Sequence, residues 1–265
     1  MEVQEVLQRL KDGARVLDLG CGEGSYASAA EDLSTIRVDL DKKSLPNFVQ
    51  ADAARLPFRA ATFDAVVSNH SLEHIQDLDD ALREIGRVIK RDGLLYVAVP
   101  DASTFSDRLY RWLGRGGGHV NPFTSAGELA AQIERATGLT HGGTRTLLTS
   151  LAFLNRANLK GRMQRKMFLI GGGTSSSLMI GTYIMRRLDG WLGTRLSVYG
   201  WAFVFGSGAQ IDGEIRTNVC IRCGSGHASD WLRREGRVRK RIGFQFYTCP
   251  GCGAANLLTE DERSR

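Results

Sequence analysis

The strongest constraint in the sequence is nine residues long. Val16-Leu17-Asp18-Leu19-Gly20-Cys21-Gly22-Glu23-Gly24 carries an apolar, strand-forming run straight into a turn holding three glycines. Such a turn lets the backbone approach a ligand closely, because no side chain stands between them. A dinucleotide-binding loop would place its third glycine at position 25, where Ser25 stands, and would press a pyrophosphate against Asp18 and Glu23. Acids beside the loop suit a cationic ligand group instead. Asp39 closes the next short run, Ile36-Arg37-Val38-Asp39, and follows Gly20 at about the 20-residue interval of a carboxylate that accepts from ribose hydroxyls. The ligand these residues describe is a nucleoside with a positive group and no phosphate.

Around the turn, short apolar runs alternate with helical patterns. Strands are expected at 15–19, 36–39, 47–50, 63–68 and 94–99, with a further strand at 141–148 and an aromatic one at 198–206. An Ala-rich helix is expected over 24–33. A second helix, over 78–90, puts Leu78, Leu82, Ile85 and Ile89 on one face, with Asp77, Asp79 and Asp80 at its start and Lys90, Arg91 and Gly93 at its end. A third covers 125–137, opened by Thr124 and closed by Gly138. Alternation of this kind implies an α/β fold with a parallel sheet covered on both faces. An apolar content of 42% excludes a disordered chain, and no fixed period recurs that would make a repeat array.

These motifs resemble a class I S-adenosylmethionine-dependent methyltransferase of the type 11 group. The matching pieces are Val16–Gly24, Asp39, Ala51-Asp52-Ala53 with Leu56-Pro57-Phe58, Phe63–Val67 and Leu72-Glu73-His74. The likeness is close over 15–100 and looser to 206. It implies a Rossmann-like methyltransferase sheet, mostly parallel with an antiparallel last strand. It also implies a set of cofactor contacts. Asp18 would face the methionine amino group, and Gly20, Cys21 and Gly22 would let the backbone pass methionine and ribose. Asp39 would hold the ribose hydroxyls, and Asp52 the adenine amino group with Ala53 beside the ring. Ser68 and Asn69 would line the amino-acid end and the acceptor. One departure stands out: Asp39 and Asp52 are so close, with Pro46 between them, that the usual helix before the third strand must be missing or reduced to a turn.

Methyl transfer from a sulfonium asks the protein to hold acceptor and methyl in line and to exclude water, with a base where the acceptor is a hydroxyl or an amine. His70 and His119 are the catalytic candidates, whereas His74 is expected to pack structurally.

Charge is divided along the chain. Residues 1–155 hold 17 basic against 21 acidic side chains, residues 156–195 eight basic against Asp189 alone, and residues 216–241 eight basic against Asp230 and Glu235. The first basic segment falls in an insert of about 150–195, between the last two strands of the sheet. The resemblance puts that insert over the active site as a lid or acceptor platform. Its apolar patches, Met167–Ile170 and Leu178–Met185, are flanked by Arg162, Arg165, Lys166, Arg186 and Arg187. Such a surface fits a lipid-linked acceptor or peripheral contact with an anionic membrane. A helical insert burying its own apolar face is the alternative. The charge-free run Met167–Met185 is broken by Gly171–Ser177 and makes a poor spanning helix. With no secretory signal visible after Met1, a cytoplasmic location is expected.

The second basic segment surrounds two C-x-x-C pairs, Cys220/Cys223 and Cys249/Cys252, each followed by glycine. Four thiolates at this spacing match a closed tetrahedral zinc site and resemble a zinc ribbon over 216–258, appended to a methyltransferase domain of 1–206. Trp231, Phe244, Phe246 and Tyr247 are its expected core. Arg233-Arg234, Arg237 and Arg239-Lys240-Arg241, with the aromatics, also form a candidate RNA-binding surface. Three functions follow: methylation of a small-molecule or lipid-linked acceptor, such as a glycan; RNA modification through the ribbon; or cofactor binding without chemistry. The sequence leaves the oligomeric state open.

Overall fold

The computed structural model describes residues 2–26, 33–113, 118–158, 173–211, 213, 215–241 and 243–259. Its largest element is a seven-stranded sheet in the order β3-β2-β1-β4-β5-β7-β6. The strands are β1 (Arg15–Leu19), β2 (Ser34–Asp39), β3 (Phe48–Gln50), β4 (Phe63–Asn69), β5 (Ile89–Pro100), β6 (His141–Leu148) and β7 (Val198–Phe205). Pairings from β3 through β5 are parallel, and β7 runs antiparallel to β5, with Leu95 opposite Phe205 and Pro100 opposite Gly200. This is the expected sheet.

The chain divides into two compact units. The first comprises residues 1–102, 118–145 and 200–213, the second 103–117, 146–199 and 214–265.

In the first unit the central strands are apolar on both faces, so they read as continuous Val/Leu runs. Leu17, Leu19, Val66, Leu95 and Val97 are wholly buried. Against them pack α2 (Leu78–Val88), through Leu82, Ile85 and Val88, and α4 (Ala126–Thr137), through Leu129 and Ile133. Each buried aliphatic side chain contributes about 1.5–3 kcal/mol. α4 is capped at Ser125, one residue later than the expected Thr124: the Ser125 hydroxyl accepts from the Glu128 N–H. The helix ends at left-handed Gly138 as expected. α1 (Glu2–Leu7) carries Glu5, whose carboxylate takes the fully buried Arg145 guanidinium at 3.0 Å.

Two expectations about local structure meet different outcomes. Between Asp39 and Phe48 no helix forms, as the spacing required. The helix expected over 78–90 stops at Val88, and Ile89 already begins β5. Lys90 pairs with Asp64 at 2.6 Å, and Gly93 is a strand residue where a Cβ would lie 2.7 Å from the Ile89 side chain. The Lys-Arg-Asp-Gly segment looks like a helix end but is a strand extension. The helix expected over 24–33 falls largely on residues 27–32, outside the described residues.

In the second unit the insert and the cysteine-rich segment are built into each other. It contains α3 (Phe105–Leu113), α5 (Ser175–Leu192), α6 (Ser229–Arg234), a two-stranded sheet of β8 (Asn218–Val219) and β9 (Gly226–His227), and a three-stranded sheet of β10 (Val238–Arg241), β11 (Phe244–Thr248) and β12 (Ala255–Leu257). Leu151, Leu154 and Leu178 of the insert share an apolar cluster with Ile221. Three polar side chains close the seam by donating to carbonyls around the first cysteine pair: Ser150 to Cys220, Asn155 to Ile221 and Asn158 to Arg222, at 2.6–3.0 Å. The expected limits of 1–206 and 216–258 separate insert from ribbon, whereas this shared packing groups them. Arg162, Arg165, Lys166 and Met167–Ile170 lie outside the described residues.

Candidate functional site

The glycine turn sits at the carboxyl ends of β1 and β4, where open α/β sheets keep their ligands. Gly20 has φ +66°, and a Cβ there would come within 2.3 Å of the Ser71 Cβ, so both the conformation and the space demand glycine. Gly22, with φ +52°, faces open space. The turn is pinned to β2 by two bonds, Cys21 N–H to the Val38 carbonyl at 3.0 Å and Gly22 N–H to Asp39 Oδ2 at 2.8 Å. The second oxygen of Asp39 accepts from the Asp41 N–H at 3.0 Å. Each oxygen keeps a lone pair for a further donor.

Asp18 is the most informative residue of the site. Its side chain is 1% exposed; Oδ2 accepts from the Ser25 N–H at 3.1 Å, and Oδ1 is buried with no partner among the described residues. Burial pushes its carboxyl above the usual range, against the pull of the Ser25 bonds and the Arg37 charge. A buried acceptor left open is costly unless something fills it, and a cationic donor fits best. Cys21 is buried beside it, and desolvation together with Asp18 and Asp39 pushes its thiol up to about 11, so it is a neutral wall rather than a nucleophile. These residues fit the positive and ribose parts of S-adenosylmethionine. Asp52 is exposed just after β3, where Oδ1 caps its own turn through the Ala54 N–H at 2.9 Å; Ala53 beside it is half-buried.

Ser68 and Asn69 end β4 but differ in setting. Ser68 is fully buried; its hydroxyl bonds Ser71 at 2.6 Å, which in turn donates to the Leu19 carbonyl at 2.9 Å. That chain ties β4 to β1 beneath the glycine turn. Asn69 stays half-exposed at the strand end. Ser71 carries no motif of its own in the sequence; its significance shows only once Gly20 is seen packed on it.

Three of the five histidines, His70, His74 and His119, gather at the same end of the sheet. His70 holds a left-handed φ of +56° and lies 3.9 Å from Glu73 Oε1. Burial, with the charges of His119 and His74, lowers its imidazole to about 4, so it is neutral near pH 7 and a weak proton acceptor. A 3₁₀ turn at Leu72–His74 follows. Asn121 clamps it, donating from Nδ2 to the carbonyls of Leu72 at 2.9 Å and Ile75 at 2.6 Å. His74 Nδ1 bonds the Gly118 carbonyl at 3.1 Å, and its ring meets His119 edge-on at 4.8 Å. The two catalytic candidates, His70 and His119, therefore belong to one cluster with Glu73 and His74. Asn121, which seats the His119 loop, has no signal in the sequence, because an Asn before Pro122 reads as an ordinary turn residue.

A second candidate site lies in the second unit. Cys220 Sγ is 3.6 Å from Cys252 Sγ, and Cys223 Sγ is 3.5 Å from Cys249 Sγ. All four sulfurs lie within 4.8 Å of one another, and all are free thiols. Ligands held about 2.3 Å from one tetrahedral ion stand about 3.7 Å apart, so the set fits zinc. The two knuckles repeat one geometry. Gly224 and Gly253, at φ +74° and +71°, donate back to the Cys220 and Cys249 carbonyls, and the Arg222 N–H points at Cys220 Sγ. Tyr247 is buried in this core, but Phe244, expected there as well, is half exposed.

Residues 17–97 match the family described as a methyltransferase domain. Over 117 residues the chain is 38% identical to a probable S-adenosylmethionine-dependent methyltransferase of Mycobacterium tuberculosis, covering 39% of this chain and 43% of that protein. Over 155 residues it is 34% identical to the mitochondrial arginine-hydroxylase NDUFAF5 of Mus musculus, covering 49% of this chain and 45% of that protein. The chain spans less than half the length of these curated relatives. Among solved structures the cyclase SpnF shares the fold, with a TM-score of 0.52 at 19% identity over 78% of this chain and 80% of that one.

Proposed function

We propose that this chain, which carries a methyltransferase domain over residues 17–97, transfers a methyl group from S-adenosylmethionine to a small-molecule or lipid-linked acceptor. The observation that carries the cofactor assignment is the buried, open Oδ1 of Asp18 beside a turn that only glycine can make. Bound S-adenosylmethionine supplies an electrophilic methyl on a sulfonium. The protein's own residues then have separable tasks. Asp18 receives the ammonium of the methionine moiety, Asp39 accepts from ribose hydroxyls, and Asp52 with Ala53 holds the adenine. Asn69 orients the acceptor. His119 or His70 takes the acceptor's proton on an imidazole nitrogen; His70, lowered to about 4, is neutral near pH 7 and the weaker base. The four cysteines hold one structural zinc, with no ligand position open for chemistry.

A second acceptor class is RNA, favoured by one observation: Arg239, Lys240 and Arg241 of β10 are all exposed on a strand without an acid. Small-molecule or lipid-linked acceptors, RNA and the non-catalytic alternative separate in a single assay. Protein is incubated with methyl-labelled cofactor and with metabolite, lipid-extract and RNA fractions in parallel. Label in the metabolite or lipid fraction, lost in Asp18→Asn, supports the proposal. Label in RNA establishes the second class. Cofactor binding with no label moved into any fraction contradicts methyl transfer; arginine hydroxylation, the activity for which the mouse relative is named, would then be the next to assay.

A further inference from the structure

We propose that the second unit carries a docking face for anionic lipid bilayers, made jointly by α5 and the β10–β11 hairpin. α5 presents two distinct faces. Leu178, Thr182 and Arg186, at i, i+4 and i+8, are buried within the unit. A second stripe at i, i+4, i+7 and i+11 points outward: Ile180, Ile184, Arg187 and Trp191, with Leu192 beside it. Ile180 is 51% exposed, Ile184 49% and Trp191 83%. A helix already packed on one face has no folding reason to present two isoleucines and a tryptophan on the other.

The stripe continues onto the hairpin. The ring of Tyr183 meets that of Phe244 edge-on at 6.2 Å, and Phe244, 50% exposed, pairs across the hairpin with Arg241. Beyond it lie Lys240 and Arg239, both exposed. The acid on α5, Asp189, is consumed locally: its oxygens accept from Leu196 N–H at 2.7 Å, Ser197 N–H at 2.6 Å and the Thr194 hydroxyl. Ile, Trp and Phe bordered by Arg and Lys is the composition of an interfacial surface. Apolar side chains enter the headgroup boundary, Trp sits at that level, and long cations reach lipid phosphates.

Other occupants fit less well. A phosphate backbone gains nothing from Ile180 and Ile184, which are desolvated only in an apolar medium. A second copy meeting face to face would bring four cations against four. No helix among the described residues is long and apolar enough to cross a membrane, so the contact is peripheral. The face would hold the enzyme where lipid-linked acceptors reside, which deepens the function proposed above without depending on it: vesicle binding is read with neither cofactor nor acceptor present.

The test is co-sedimentation of the zinc-loaded full chain with vesicles of phosphatidylcholine, alone or with 30% phosphatidylglycerol, at low salt. Binding is expected to the mixed vesicles and at least tenfold weaker to the neutral ones. Ile180→Ser/Ile184→Ser should lower the first at least tenfold, and neutralising Arg239, Lys240 and Arg241 to Gln should lower it about fivefold per cation. Unchanged zinc content and cofactor affinity show that the variants are folded. Equal, weak binding to both vesicles overturns the proposal. So does a loss with the Gln variants but not the Ser variants, which would mark a general polyanion surface. RNA retention lost with the same apolar variants, or a dimer dispersed by them, would equally overturn it in favour of those partners.

Discussion

The two units reach stability by different routes. The first buries long apolar strands between helices. The second is assembled from short strands, the long helix α5, four cysteines and a seam of Ser150, Asn155 and Asn158 bonded to carbonyls. A large apolar core can support an open, buried acceptor such as Asp18 Oδ1 and hold it ready for a ligand. A small domain has little apolar burial to draw on and depends on metal and on each buried hydrogen bond. The functions proposed above divide the same way, with the cofactor assigned to the first unit and the docking face to the second.

Removing one cysteine tests that contrast most severely. Cys249→Ser should take zinc from one equivalent to none by elemental analysis and unfold the second unit, since a structural zinc supplies about 10 kcal/mol or more of apparent folding free energy. Cofactor affinity measured on the same protein should stay within about twofold. If it vanished, the two units would be one cooperative structure and the contrast would fall.

Next in size is Asp18→Asn, which should weaken S-adenosylmethionine binding by about 1.5–3 kcal/mol, the loss of a charge-assisted bond in a buried place. Zinc content should not change. Because burial raises the Asp18 carboxyl, wild-type affinity should climb with pH through that raised value, as the carboxylate forms to meet the cation. The slope should disappear in the variant when both are titrated by calorimetry.

Asn155→Ala probes the seam. It strands the Ile221 carbonyl and should cost about 1–3 kcal/mol, seen as a lower melting transition of the second unit only. The last effect, read only in acid, belongs to His70. Its imidazole is lowered to about 4 in the folded protein from an ordinary 6.5. Its contribution to stability is therefore complete above pH 6.5 and is lost as pH falls toward 4. His70→Asn tolerates the same left-handed backbone and should flatten the pH dependence of the first unit's melting temperature by a few degrees.

Legibility follows the same division. In the first unit, strands such as Leu94–Val99 are buried on both faces, so their apolar runs announce them, and Gly20, Asp18 and Asp39 sit at fixed distances from strand ends. What misleads there is local: Lys90-Arg91-Asp92-Gly93 has a helix-terminus composition, yet Lys90 is drawn to Asp64 and the segment joins the sheet. In the second unit the cysteine spacing is legible because a metal imposes it. The union of insert and ribbon is not, because it rests on Asn and Ser side chains donating to carbonyls some 70 residues away, and on Ile221, whose partners no periodicity reveals. Phe244 defies its expected place for a related reason. Alternation along β11 marks one side as covered, but which aromatic is covered depends on α5 and the neighbouring strands.

The central claim is that the glycine turn, Asp18 and Asp39 make a preformed site for S-adenosylmethionine. Its most direct test is calorimetric titration of the cofactor into wild type and Asp39→Ala. Micromolar binding by the wild type, about −8 kcal/mol, weakened by about 1–3 kcal/mol in the variant, is the predicted result. Identical affinity in the two proteins, or no binding by the wild type, would contradict it.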